Sequence, residues 1–315
     1  MQAIKKYLFT LFFIISISIS KAQQVPQYTH FIQNYYALNP ALAGISSCLN
    51  IQTGYRIQWV GFEGAPKSTF ATISSQLQLK KHNTTGIKHG IGAFIENDEI
   101  GPFSRSVVYL SYAYHFPMGR NITASMGVFG GLMQMGVDAT RINLNQTNDP
   151  VINGTAKAFF IPDFSPGIFI NHDDWFVGYS IRQIFLNKWS KVIGSKLSRN
   201  RFHHYFLGGK RFKTDKFNIV PSGLIKFVGF SNPAIDFNLM FEFSTHYKMG
   251  VSWRNSDAIA GLLSIKFLKF FTLSYAYDFT TSSINTISSN THEFMLGISA
   301  CPFNGVDTYL CPVFQ

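Results

Sequence analysis

Apolar and polar residues alternate with a period of two in segment after segment, a pattern that gives a strand one apolar face but gives a helix none. From Leu49 the odd positions read Leu49, Ile51, Thr53, Tyr55, Ile57 and Trp59, and the even ones Asn50, Gln52, Gly54, Arg56 and Gln58. Ile235, Phe237, Leu239, Phe241 and Phe243 interleave with Asp236, Asn238, Met240 and Glu242, and Tyr275, Tyr277 and Phe279 with Ser274, Ala276 and Asp278. Similar patterns near 70–80, 86–97, 103–116, 121–137, 174–186, 247–254, 258–268 and 291–300, with less regular ones near 157–170, 202–213 and 216–230, bring the expectation to about 14 antiparallel strands. Pro162, Pro166 and Pro221 fall inside the less regular ones, where a proline calls for an edge or a bulge.

Two features separate a membrane barrel from a soluble sandwich. The chain holds 32 Phe and 14 Tyr, which lipid-facing positions and two interfacial girdles can use. Connection lengths also alternate: short ones near 81–85, 117–120, 171–173, 213–216 and 244–247, longer or more variable ones near 61–67, 98–102, 138–156, 187–201 and 281–290. Short turns belong to the periplasmic rim and long loops to the outside, so both ends of the barrel are expected on the periplasmic side.

The N-terminus reads as an export signal over residues 1–22. Lys5 and Lys6 precede an apolar stretch from Tyr7 to Ile19, and Ser20-Lys21-Ala22 offers small residues before Gln23. No Cys follows the expected cut, so no lipid anchor is expected there. Beyond it no run of 18 apolar residues is long enough for a helical span. The expected organisation is therefore signal 1–22, a periplasmic or plug segment 23–47 rich in Tyr and Asn, an outer-membrane β-barrel 48–301, and a periplasmic tail 302–315. A barrel of this size either conducts or is plugged.

The formal net charge is +11, to which Lys5, Lys6 and Lys21 of the signal contribute. Basic residues concentrate between Arg182 and Lys216, where those in the 187–201 loop would face lipopolysaccharide phosphates and those near 210–216 the periplasm; solvated rim charge is an equal reading. Nucleic acid is not an expected partner outside the cytoplasm. Cys48, Cys301 and Cys311 suit an oxidising compartment. Closure would bring Cys48 near Cys301 or Cys311, with a local Cys301 to Cys311 loop as the alternative. His203-His204, His172-Asp173-Asp174 and Glu96-Asp98-Glu99 carry the atoms of metal or acid-base chemistry, but strand neighbours point to opposite faces. No zinc spacing or phosphate loop is present, so no catalytic residue, metal or cofactor is expected.

Inward positions place Arg56, Gln58, Asp236, Asn238 and Glu242 along the lumen. Trp59 is expected on the lipid face near the outer interface. Glu63 sits among Gly61, Gly64 and Pro66, which favour a tight loop, either pairing with Arg56 over the mouth or meeting a partner directly. The candidate contact or lumen residues are thus Arg56, Gln58, Trp59 and Glu63.

A series of blocks carries a family resemblance. Gln27-Tyr28-Thr29-His30-Phe31 and Leu38-Asn39-Pro40-Ala41-Leu42-Ala43-Gly44 are followed by Gln58-Trp59-Val60-Gly61-Phe62-Glu63-Gly64-Ala65-Pro66. Asp98-Glu99-Ile100-Gly101-Pro102, Pro162-Asp163-Phe164, Tyr275-Ala276-Tyr277-Asp278 and His292-Glu293 come later. In this order the blocks resemble the PorP/SprF family of Bacteroidetes outer-membrane proteins, associated with type IX secretion and gliding motility. The resemblance covers nearly the whole chain after the signal. The tail after Ala300, with two cysteines and a penultimate Phe314, departs from a simple terminal-aromatic insertion signal. The resemblance implies a non-enzymatic barrel that assists secretion or surface attachment of large adhesins bearing a type IX C-terminal domain. It also implies partners in the periplasmic ring and the peptidoglycan-binding lipoprotein of that system. The alternative from the residues alone is a passive outer-membrane diffusion pore.

Overall fold

The structure is a computed structural model that describes residues 25–77, 86–119, 121–138, 141, 157–185, 201–229, 231–255 and 257–301. The expected signal, the tail that carries Cys311, and most of the 138–156 and 187–201 loops lie outside these residues.

A closed antiparallel barrel of 14 strands forms from neighbours in sequence. In chain order they are β1 (Leu49–Ile57), β2 (Lys67–Leu77), β3 (Lys88–Ile100), β4 (Phe103–Gly119), β5 (Ile122–Val137), β6 (Lys157–His172), β7 (Trp175–Arg182), β8 (His203–Lys210), β9 (Phe212–Lys213), β10 (Asn218–Val228), β11 (Ala234–Glu242), β12 (Tyr247–Arg254), β13 (Ala258–Phe267), β14 (Phe271–Thr280) and β15 (Thr291–Ala300). The two-residue β9 continues β8 beyond Arg211 and pairs with the same neighbour, β10, so the two segments make one stave. Closure comes from β1 against β15, paired from Leu49↔Ala300 to Ile57↔His292. No sheet edge is then left unpaired along that seam.

The alternation takes the faces expected of it. On β1 Gly54 and Arg56 are buried while Tyr55 is exposed, and on β11 Asp236, Asn238 and Glu242 are buried while Phe237 is exposed. Exposed Leu110, Phe160, Ile168, Val251, Ile259, Phe279 and many others make an apolar outer surface, as lipid requires. His-Tyr pairs occupy that surface at both ends, His89–Tyr112 toward one rim and Tyr179–His204 and Tyr275–His292 toward the other.

One local expectation is corrected. The first strand stops at Ile57: Trp59 stands in the following turn with a positive φ of 48°, half-buried, its N–H donating to Thr291 Oγ1. The period of two therefore does not carry Trp59 onto a lipid-facing strand position. The short turn expected near 81–85 lies outside the described residues. The prolines of β6 take the edge expected of them: Pro162 and Pro166 lie in the stretch that pairs with β5, while pairing with β7 begins at Gly167. Pro221 does meet an irregularity, falling where β8 gives way to β9.

Candidate functional site: a filled lumen

Residues 25–47 lie inside the barrel. Tyr28, Phe31, Ile32, Tyr35, Ala37, Leu38, Ala41, Leu42 and Ala43 are buried and belong to one cluster with inward side chains such as Phe70, Phe94, Phe129, Phe176 and Leu207. A short helix α1 (Tyr35–Leu38) and a 3₁₀ turn (Pro40–Leu42) are the only regular pieces of this segment. Asn39 joins them for a physical reason. Preceding a proline disfavours helical backbone, and its extended φ of −141° lets Oδ1 accept from Ala41 N–H as a cap. Its Nδ2 meanwhile donates to the carbonyls of Ile168 and Tyr179 on paired strands β6 and β7.

Glycines make the floor on which this inner part sits. A Cβ at Gly167 would strike the Asn39 side chain, and one at Gly127 the backbone of Pro40 and Ala41. At Gly90 and Gly92 it would strike the Ala43 carbonyl and the Tyr36 hydroxyl. Around the floor Ser180 Oγ donates to Leu38 O at 2.7 Å, Tyr36 Oη meets Ser111 Oγ at 2.6 Å, and His115 Nε2 meets Ala43 O at 2.9 Å. The carbonyl can only accept, so Nε2 carries the proton and Nδ1 accepts from Ser125 Oγ.

Toward the rim away from Cys48 and Cys301 the lumen is charged. Arg56 Nη2 meets Asp278 at 2.8 Å and its Nη1 meets Glu293 at 3.0 Å, all three nearly fully buried. Arg254 bonds Asp236 at 3.0 Å and Asp257 at 3.1 Å, and Lys226 bonds Asp236 at 2.6 Å. The outer part of the internal segment is tied into this lattice. Glu293 accepts the backbone N–H of Thr29 at 2.8 Å and of His30 at 3.0 Å. Thr29 Oγ1 donates to Asp278 at 2.8 Å and accepts from Arg56 at 2.6 Å and Arg254 at 3.3 Å. Across the lumen Tyr28 Oη donates to Glu96 at 2.6 Å, which also pairs with Arg105. The segment is thus a crossbar between β3 and the β14–β15 wall. Burial against Glu96 holds the Tyr28 phenol well above its ordinary pKa, so it stays a donor.

Arg56 was expected in the lumen and lies there, but with Asp278 and Glu293 rather than Glu63. Glu63 is exposed and makes no ion pair among the described residues. Gln58 is half-buried past the end of β1, its N–H donating to Pro66 O. The loop between them is braced by its neighbours: Gly101 N–H donates to Gly64 O, Val60 N–H to Asn290 O, and Ser289 N–H to Val60 O. Phe62 and Glu63 stand exposed on it. Sequence reasoning did not assign Thr29, Arg254, Asp278 or Glu293 to a site. The signal was present as charges at inward positions of strands that are otherwise apolar or aromatic.

Cys48 and Cys301 are joined by a disulfide, 253 residues apart in sequence. It locks β1 to β15 at the rim where the internal segment enters β1. Among the described residues no group of three metal-ligating side chains gathers.

A family model described as "Type IX secretion system membrane protein PorP/SprF" matches residues 20–298. No curated protein matches the chain. Among solved structures, the CymD monoaromatic hydrocarbon channel superposes with a TM-score of 0.52 at 9% identity, over 90% of this chain and 95% of that one. The Ralstonia pickettii toluene transporter TbuX gives 0.51 at 8% identity, over 87% and 94%. The Pseudomonas putida toluene transporter TodX gives 0.51 at 8% identity, over 89% and 99%. At such identities the likeness is one of fold.

Proposed function

From the premise that this chain belongs to the PorP/SprF family of type IX secretion system membrane proteins, we propose that it is a non-enzymatic, plugged outer-membrane barrel. It assists secretion or surface attachment of large adhesins bearing a type IX C-terminal domain. The observation that carries this reading is the filled lumen. A general diffusion pore needs an aqueous path, whereas here most of residues 25–46 are buried in the barrel, seated on glycines at one level and tied to buried ions at another. A plugged barrel serves best as a membrane-embedded platform. In this reading the rim bearing Cys48 and Cys301 faces the periplasm, toward the ring components and peptidoglycan-binding lipoprotein of the system. The 58–66 loop faces outward, and Phe62 and Glu63 on that braced loop are the proposed contact with the exported partner.

Deleting the gene should abolish surface display of its partner adhesin without altering other outer-membrane barrels, and the wild-type gene should restore it. Glu63→Ala should restore barrel insertion and heat-modifiable migration but not full display. Unchanged display in the deletion strain refutes the secretion role, and full display with Glu63→Ala removes only the contact site. A diffusion pore is the second reading, favoured by the charged lumen wall that Arg56, Arg254 and Glu242 line.

A further inference from the structure

The internal segment has two parts that are held in different ways. Residues 35–43 are seated by close packing on glycine, and the Asn39 amide is bonded at both its atoms. Residues 25–34 are less well matched to their surroundings: both amide atoms of buried Asn34 and Oε1 of Gln27 have no hydrogen-bond partner among the described residues. Unmet buried polar groups weaken a segment's hold.

The clasp on this outer part has an unusual selectivity. Its hydrogen bonds to the segment go to the backbone N–H groups of Thr29 and His30 and to the Thr29 hydroxyl, and neighbouring Asn238 Nδ2 meets the Thr29 carbonyl at 3.5 Å. Its own charges are already paired with one another, Arg56 with Asp278 and Glu293, Arg254 with Asp236 and Asp278. The lattice is therefore preorganised without the segment, and what it reads is peptide backbone plus one hydroxyl. Arg56, Asp236, Arg254, Asp278 and Glu293 all lie near the ends of strands that meet the rim opposite the disulfide, so the clasp stands at the outer end of the lumen rather than at its middle.

We infer that the clasp of Arg56, Arg254, Asp278 and Glu293 is a receiving site for an extended peptide segment of a partner chain presenting a Ser or Thr. Residues 25–34 occupy it as a resident surrogate, while 35–47 keep the lumen shut beneath. The secretion reading supplies only the natural identity of that partner; the site itself is tested with a defined peptide, so failure of one does not mimic failure of the other.

The probe is a synthetic peptide copying residues 25–32, Val-Pro-Gln-Tyr-Thr-His-Phe-Ile, added to the full-length protein in vesicles. A Val25→Cys reporter in a Cys311→Ser background, with Cys48–Cys301 kept, reports release of the resident segment through its labelling by a membrane-impermeant maleimide. The resident copy is tethered and enjoys a millimolar-range effective concentration, so the peptide is titrated to that range. The expected result is a severalfold rise in the labelling rate with the Thr peptide, none with a Thr→Val peptide, and an elevated basal rate in Thr29→Val but not in Thr29→Ser. All variants are first required to show wild-type heat-modifiable migration. Labelling that ignores the peptide overturns the inference, even where Thr29→Val raises the basal rate, because the clasp then serves only its own segment. An equal response to Thr and Val peptides overturns it as well.

Discussion

At the residue scale, Glu293 joins the wall to the internal segment: it holds an arginine and two successive backbone amides, all in the interior. Removing one partner of a buried ion pair typically costs about 3–5 kcal/mol, because the other charge is left uncompensated. Glu293→Gln should therefore lower the unfolding free energy by an amount in that range, read from heat-modifiable migration in a denaturant series, while Glu63→Ala should leave it unchanged. His30 gives a pH signature. Burial holds its imidazole below the ordinary pKa, opposed by Glu293, the Tyr275 backbone and Asp278. A histidine that stays neutral when folded contributes its stability above the unfolded pKa, about 6.5, and loses it as the pH falls below that value. Stability should thus decline between pH 7 and pH 5, and His30→Gln should flatten that part of the profile. These residues were only partly legible. The period of two put Arg56, Asp236, Asn238 and Glu242 inward, but the pairing of Arg56 with Asp278 and Glu293 spans 222 and 237 residues and exists only once the barrel closes.

Among elements, the strands were legible because each has one face toward lipid and one toward a polar lumen. The misread place is one where another constraint interrupts that pattern: Trp59, where neighbouring loops draw the chain out of the strand. The internal segment was legible as a plug only as one of two options, since it carries no periodicity and its contacts come from strands far along the chain. Its seat makes a specific prediction. Gly167→Leu places a side chain where Asn39 stands and should unseat the inner part, yet leave strand pairing alone, because the change faces the lumen. Folding yield and migration should stay normal while the lumen becomes permeable. The disulfide acts on a different element, the β1–β15 seam. Cys48→Ser should cost about 2–5 kcal/mol of stability in the chain-entropy account, measured against wild type without reductant, and the difference should vanish when both are reduced.

For the whole molecule, the central claim is that this outer-membrane barrel is closed by its own chain. The most direct measurement is single-channel conductance of the purified protein in planar bilayers. The filled lumen predicts no discrete current steps from the wild type under moderate voltage, and steps from Gly167→Leu reconstituted in the same way. Regular, porin-like steps from the wild-type protein would contradict the account and favour a diffusion pore.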